Sequence, residues 1–153
     1  MKIILQKTDS GEEEIIIRYR EMTRKISDVV KLFSDSDSRM AGTKDDARQV
    51  YYFAPEDVYY FETVEGVAYA YLEKEVYRLR EKLEEIVYRY GELGIARCTR
   101  TMAVNLYKVD WLKSQPGGRI LAALKNGEKV VISRKYAETL REQLRRGSPD
   151  VER

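Results

Sequence analysis

The sequence predicts a mainly β chain of the α+β class. It expects about ten short strands in stacked sheets, a few short helices, and a small strand–strand–helix annex at the N-terminus. Three observations carry this. Tyrosine, valine and isoleucine gather in short runs whose length and composition suit strands. Turn residues separate the runs, among them Gly11, Pro55, Gly66, Pro116-Gly117-Gly118 and Asn126-Gly127. Apolar residues recur at helical spacing in only three places. Long helical stretches do not alternate with strands, which argues against a doubly wound parallel sheet.

The elements follow in order. "KIILQKT" and "EEIIIRY" read as strands joined by a turn at Ser10 and Gly11. Met22, Ile26, Val29, Val30 and Phe33 then form one face of an amphipathic helix. "SDSDSRMAG" is polar and reads as a linker to about Gly42. Its Asp35 and Asp37 have no further ligands near them in sequence, so they read as linker and not as a metal site. These boundaries give an annex at 1–38, a second domain at 39–147 and a disordered tail at 148–153.

The second domain opens on an internal echo, "QVYYF", "APED", "DVYYF". Val50 to Phe53 and Val58 to Phe61 read as strands about a turn containing Pro55. Tyr69, Tyr71 and Tyr77 mark two more strands, with turns at Gly66 and at Glu73-Lys74. Bases could stack on such rings. Yet Glu56, Asp57, Glu62 and Glu65 surround them and repel phosphate, so packing explains the rings better. Leu79, Leu83, Ile86, Val87 and Tyr90 make a helical stripe, stopped by Gly91. Ile95 to Cys98 is a strand, with a turn near Asn105. Another strand runs through Trp111 to Pro116-Gly117-Gly118. Arg119 to Leu124 and Lys129 to Ile132 form a hairpin closed by Asn126-Gly127, the strongest short hairpin signal. Tyr136, Leu140 and Leu144 stripe a closing helix.

Composition limits the function. The 153 residues contain no histidine and one cysteine, Cys98. An internal disulfide and a Cys/His zinc site are therefore excluded. The apolar start is too short for a signal peptide, and no run approaches a membrane span. A cytoplasmic location is expected. The net charge of +2 hides a swing. Residues 1–96 carry 15 Lys/Arg against 20 Asp/Glu, and residues 97–146 carry 12 against 4. The first stretch is thus net −5 and the second net +8. A basic segment of this kind points to an anionic partner.

No nucleophile elbow, Gly-rich phosphate loop or acid–base histidine is present, so no enzyme is expected. Arg97 and Arg100 could lower the thiol pKa of Cys98, but a packed strand cysteine is the simpler reading. Binding has more support. Arg97, Thr99, Arg100 and Thr101 follow a strand. Ser133, Arg134 and Lys135 sit at a strand-to-helix junction, where small residues are usual. Arg suits the major-groove edge of guanine, and Ser or Thr suits phosphates. Ser133 also suits an N-cap, and the free amides of the helix start favour a phosphate.

Those residues carry a resemblance. "RCTRTMAVN" (Arg97 to Asn105), "NGEKVVISRKY" (Asn126 to Tyr136) and "DVYYFE" (Asp57 to Glu62) occur in the order seen in the LytTR family of bacterial DNA-binding domains. The chain resembles that family from about Arg39 to Arg146. Two positions depart from its usual pattern: Thr99 replaces a frequent His, and Thr101 a Ser. The resemblance implies stacked sheets whose loops enter successive major grooves of double-stranded DNA. It implies a sequence-specific transcription regulator with no cofactor, metal or small-molecule substrate. The residues expected to touch DNA are Gly66, Thr99, Arg100, Thr101, Lys108, Ser133, Arg134 and Lys135. Asn105 reads as structural. The resemblance also implies a standalone regulator without a receiver domain, direct repeats in the DNA, a homodimer on it, and a small membrane protein as inhibitor. The alternative is a non-catalytic protein-interaction module whose basic C-terminal face is incidental. An RNA-binding role ranks below both.

Overall fold

The structure is a computed structural model, and it describes residues 2–33, 39–46 and 48–145, without the side chains of residues 143 and 144. The linker over 34–38, the tail at 148–153 and the side chain of Leu144 lie outside the described residues. The chain divides into two compact units, Met1–Phe33 and Ser34–Arg153.

In the first unit one regular element forms among the described residues, the helix α1 (Arg24–Phe33). Thr23 caps it. Its hydroxyl accepts from the Ile26 N–H (3.3 Å) and its carbonyl from the Ser27 N–H (2.9 Å). The two strands expected from Lys2 to Thr8 and from Glu13 to Tyr19 are not formed. The turn between them exists: the Thr8 hydroxyl donates to the Ser10 carbonyl (2.7 Å), and Gly11 takes φ 86°. It does not bring the two runs into a ladder. β-propensity describes a residue's fit to a pleated surface, and a strand still needs a neighbour.

Among the described residues, ten strands lie in the second unit. β1 (Met40–Gly42) pairs with β2 (Tyr51–Phe53) in a two-stranded sheet. β3 (Tyr60–Val64), β4 (Val67–Tyr71), β5 (Val76–Arg78), β6 (Ile95–Arg97) and β7 (Met102–Asn105) make a five-stranded sheet, ordered β5-β4-β3-β7-β6. β8 (Val109–Ser114), β9 (Ile120–Leu124) and β10 (Lys129–Ile132) make a three-stranded sheet, ordered β10-β9-β8. Every pairing is antiparallel. The α-helices among its described residues are α2 (Leu83–Tyr90) and α3 (Arg134–Arg145). The mainly β class with short helices is what the sequence predicts.

The five-stranded sheet is the middle layer, and strand alternation makes it so. Phe61, Ala70 and Ala103 join one core with Leu83, Ile86 and Tyr90 of α2. The next residue on β7, Val104, joins a second core with Ile120, Leu124, Val130, Ile132 and the α3 residues Ala137 and Leu140. Most tyrosines read as packing do pack. Phe53 stacks on Tyr77 (4.8 Å between centroids), and Tyr60 on Tyr71 (4.4 Å).

Three boundaries differ from expectation. Met40–Gly42, which the sequence places in a linker, forms β1. Gly42 permits this, because a Cβ there would lie 2.7 Å from the Tyr77 Cβ. β3 starts at Tyr60, not Val58, because the Val58 carbonyl accepts from the Asn105 side chain (2.8 Å). Gly91 keeps helical angles, φ −58° and ψ −39°, and the left-handed stop falls on Gly94 at φ 92°.

Candidate nucleic-acid interface

Three connections lie at one end of the stacked sheets. The first is the β3–β4 turn, Glu65-Gly66, a two-residue hairpin between the paired Val64 and Val67. Both residues take positive φ, 50° and 79°, the pattern of a type I′ turn. Glu65 is the one non-glycine with positive φ among the described residues, and it is exposed. That conformation costs a residue with a Cβ about 1–2 kcal/mol.

The second connection joins β6 to β7. The N–H groups of Cys98 and Thr99 both donate to the Met102 carbonyl (2.9 and 3.2 Å), which folds 98–102 into a compact loop. The Thr101 N–H donates to the Thr99 hydroxyl oxygen (3.2 Å). Arg97 reaches around the loop. Its Nε donates to the Thr99 carbonyl (3.0 Å), and another guanidinium N–H donates to the Arg100 carbonyl. Arg97 therefore braces the loop from inside, while the Arg100 side chain stays exposed. The sequence places Arg100, and not Arg97, among the residues expected to touch DNA, but it gives Arg97 no bracing role. Carbonyl acceptors within the loop can be found only in the fold.

The third connection is the β10–α3 junction. Ser133 is the residue before the helix, and its carbonyl accepts from the Ala137 N–H (2.8 Å). Arg134 and Lys135 follow, both exposed. The Arg134 stem lies on the Pro116–Gly118 turn. A Cβ on Gly118 would meet the Arg134 Cγ at 3.1 Å, so this glycine makes room for the arginine. Arg141 donates to the Gly118 carbonyl (3.2 Å) and ties the same turn to α3. Lys135 and Arg97 both approach the Tyr136 ring, at 5.4 and 6.0 Å from its centroid.

Two backbone bonds join these connections. The Ser133 N–H donates to the Cys98 carbonyl (2.8 Å), and the Thr63 N–H donates to the Thr101 carbonyl (2.7 Å). Gly66, Thr99, Arg100, Thr101, Ser133, Arg134 and Lys135 are thereby gathered at one edge. Among the described residues, none of Arg100, Arg134 and Lys135 is in an ion pair.

Lys108 is not with them. It sits beyond the other end of β7, with its ammonium 5.1 Å from the Tyr59 ring centroid and its carbonyl accepting from the Lys125 N–H (2.8 Å). Asn105 lies there too and is 0% exposed. Its amide donates to the carbonyls of Glu56 (3.2 Å) and Val58 (2.8 Å), and its oxygen accepts from the Tyr107 N–H (3.0 Å). That is a structural role.

Cys98 is 0% exposed, and burial pushes its thiol up to about 12, so it stays neutral behind the loop. Among the described residues, no group of three or more His, Cys, Asp or Glu side chains is placed to hold a metal. No helix among them is long and apolar enough to cross a membrane.

The second unit is thus an antiparallel-sheet domain with exposed cations gathered on one loop edge. Comparison with known proteins identifies the kind. The LytTr DNA-binding domain matches residues 48–145, and the chain belongs to that family. It is 25% identical over 96 residues to the sensory transduction protein LytT of Enterococcus faecalis (strain ATCC 700802 / V583). That match covers 63% of this chain and 40% of the relative, so the chain spans less than half of that protein. The fold matches the LytTr DNA-binding domain of a protein described as a methyl-accepting/DNA response regulator from Bacillus cereus. The TM-score is 0.65 at 23% identity, covering 70% of this chain and 96% of that one.

Proposed function

We propose that this chain is a sequence-specific regulator of transcription that reads double-stranded DNA in the major groove through the three joined connections. The observation that carries the reading is the Ser133-to-Cys98 backbone bond, which locks two cation-bearing loops into one edge. Arg134 and Arg100 act as base readers, able to present two parallel donors to guanine O6 and N7. Lys135, Thr99, Thr101 and the amides at the start of α3 hold phosphates. Glu65 is the one acid in these three connections and would repel phosphate. It fits the reading by accepting a hydrogen bond from a cytosine amino group. Lys108 is left out of the interface, being at the far end of β7.

One domain of this size covers about 600–1,000 Å² of DNA, so two copies on one face of the duplex give selective binding. Their sites are then separated by whole helical turns of about 10.5 bp. The test is a gel shift on DNA from upstream of the chain's own coding sequence, with random-sequence competitor. Methylation of guanine N7, a major-groove atom, should abolish the complex. Methylation of adenine N3, in the minor groove, should not. A complex sensitive only to adenine N3, or lost to random competitor, would overturn the proposal.

A further inference from the structure

The first unit contains a stretch that complements itself. Residues 12–20 read Glu-Glu-Glu-Ile-Ile-Ile-Arg-Tyr-Arg, acidic before the three isoleucines and basic after them. Ile15 and Ile16 are 66% and 61% exposed, and Tyr19 is 48% exposed. No residue of the stretch belongs to a strand or helix. Among the described residues, none of its five charged side chains is in an ion pair. A run of β-branched residues with unpaired backbone groups is a template for another strand.

We propose that this segment pairs with the same segment of a second copy, antiparallel about Ile16, as a two-fold dimer contact. The register follows from the charges. Centred on Ile16, Glu12 faces Arg20, Glu14 faces Arg18, Glu13 faces Tyr19, and Ile15 faces Ile17. Each acidic residue meets a basic or polar partner, twice over by symmetry. A parallel pairing would instead put glutamate on glutamate and arginine on arginine, which is destabilising. An antiparallel pairing of identical segments is isologous and closes at two copies. A two-stranded ribbon alone is marginal in water. Ile3, Leu5, Met22 and Phe33 are exposed in the same unit and supply apolar surface to cover it. The other partner in this unit, Lys2 to Thr8, forms no ladder with the segment even though a turn joins them.

The inference is independent of the DNA reading, and its test contains no DNA. Sedimentation of the full chain should give twice the 17.9 kDa of one copy at micromolar concentration. Glu12→Arg with Glu14→Arg leaves Glu13 as the one acid of the segment and sets the introduced arginines against Arg20 and Arg18 in the same pairing. Arg18→Glu with Arg20→Glu makes it wholly acidic. Each double variant alone should dissociate about tenfold or more readily, because like charges face each other. An equimolar mixture of the two should re-form a dimer containing one of each. A wild-type chain that stays monomeric, or charge variants that dimerise as wild type, would overturn the proposal. So would a mixture that fails to pair. Binding of the monomer to another protein or to anionic vesicles, without self-association, would assign the segment to a different partner and also overturn it.

Discussion

Replacing Arg97 by alanine should weaken DNA binding without removing a DNA contact. In the structure Arg97 spends its guanidinium on the Thr99 and Arg100 carbonyls. Hydrogen bonds from a charged group contribute about 1.5–3 kcal/mol each when buried. Here one acceptor is half-covered and the other exposed, so water replaces part of the loss, and the brace is worth about 1–2 kcal/mol in all. Without it, loop 98–101 must be ordered when DNA binds, and that cost appears in the affinity. A loss of about 1–2 kcal/mol is roughly a 5- to 30-fold rise in Kd. The assay is fluorescence anisotropy on a labelled duplex across a salt series. A phosphate-contacting cation contributes about 0.9 to the slope of log K against log salt. The Arg97→Ala slope should equal wild type, whereas Lys135→Ala should lower it by about 0.9. An Arg97→Ala slope reduced by that amount would make Arg97 a direct contact and refute the bracing role. Unchanged affinity would refute it equally.

Other outcomes follow from the same geometry. Asn105→Ala removes two hydrogen bonds to backbone carbonyls and one from a backbone N–H, all made by a buried side chain, and should destabilise the fold by about 3 kcal/mol in urea melts, with little change in affinity once folded. Glu65→Asn suits the positive φ better and should stabilise by about 0.5–1 kcal/mol, while relaxing base preference at one position of the site. Cys98 should react with thiol reagents at pH 8 only as fast as the chain opens. Its folded pKa is raised, so the unfolded thiol ionises first. The stability it contributes is intact below the ordinary thiol value near 9 and is lost as pH rises from there through about 12. Burial raises the Tyr60 and Tyr71 hydroxyls too, with the same sign, so alkaline melts of Cys98→Ala should fall less steeply than wild type but still fall. Inserting about five base pairs between half-sites should sharply reduce affinity, and a full turn should restore part of it.

Much of this fold was legible because local chemistry set it. Asn126-Gly127 closes the β9–β10 hairpin, with Gly127 at φ 89°, and the α3 stripe buries Leu140. Gly66 likewise marked a real turn. What escaped depends on partners distant in sequence. β1 exists because Gly42 lets it approach Tyr77. The Asn105 amide takes the Val58 carbonyl out of any ladder. The expected strands near Ile4 and Ile16 have strand composition but no neighbour in their unit. At the candidate site, the cations were readable as loop residues. That Ser133 bonds to Cys98, that Arg97 turns inward while Arg100 stays exposed, and that Lys108 lies at the opposite end were not readable, because each requires knowing how the sheets stack.

On the proposed reading, one edge of the stacked sheets, and not basic charge in general, binds DNA. Arg134→Ala and Lys108→Ala each remove one cation from the same basic segment, at opposite ends of β7. The most direct test measures both variants by anisotropy on a specific duplex and on a random duplex at one salt concentration. Arg134→Ala should lose about 1–3 kcal/mol on the specific duplex and much less on the random one, while Lys108→Ala stays within about twofold of wild type on both. Equal losses for the two variants, or a larger loss for Lys108→Ala, would contradict the account.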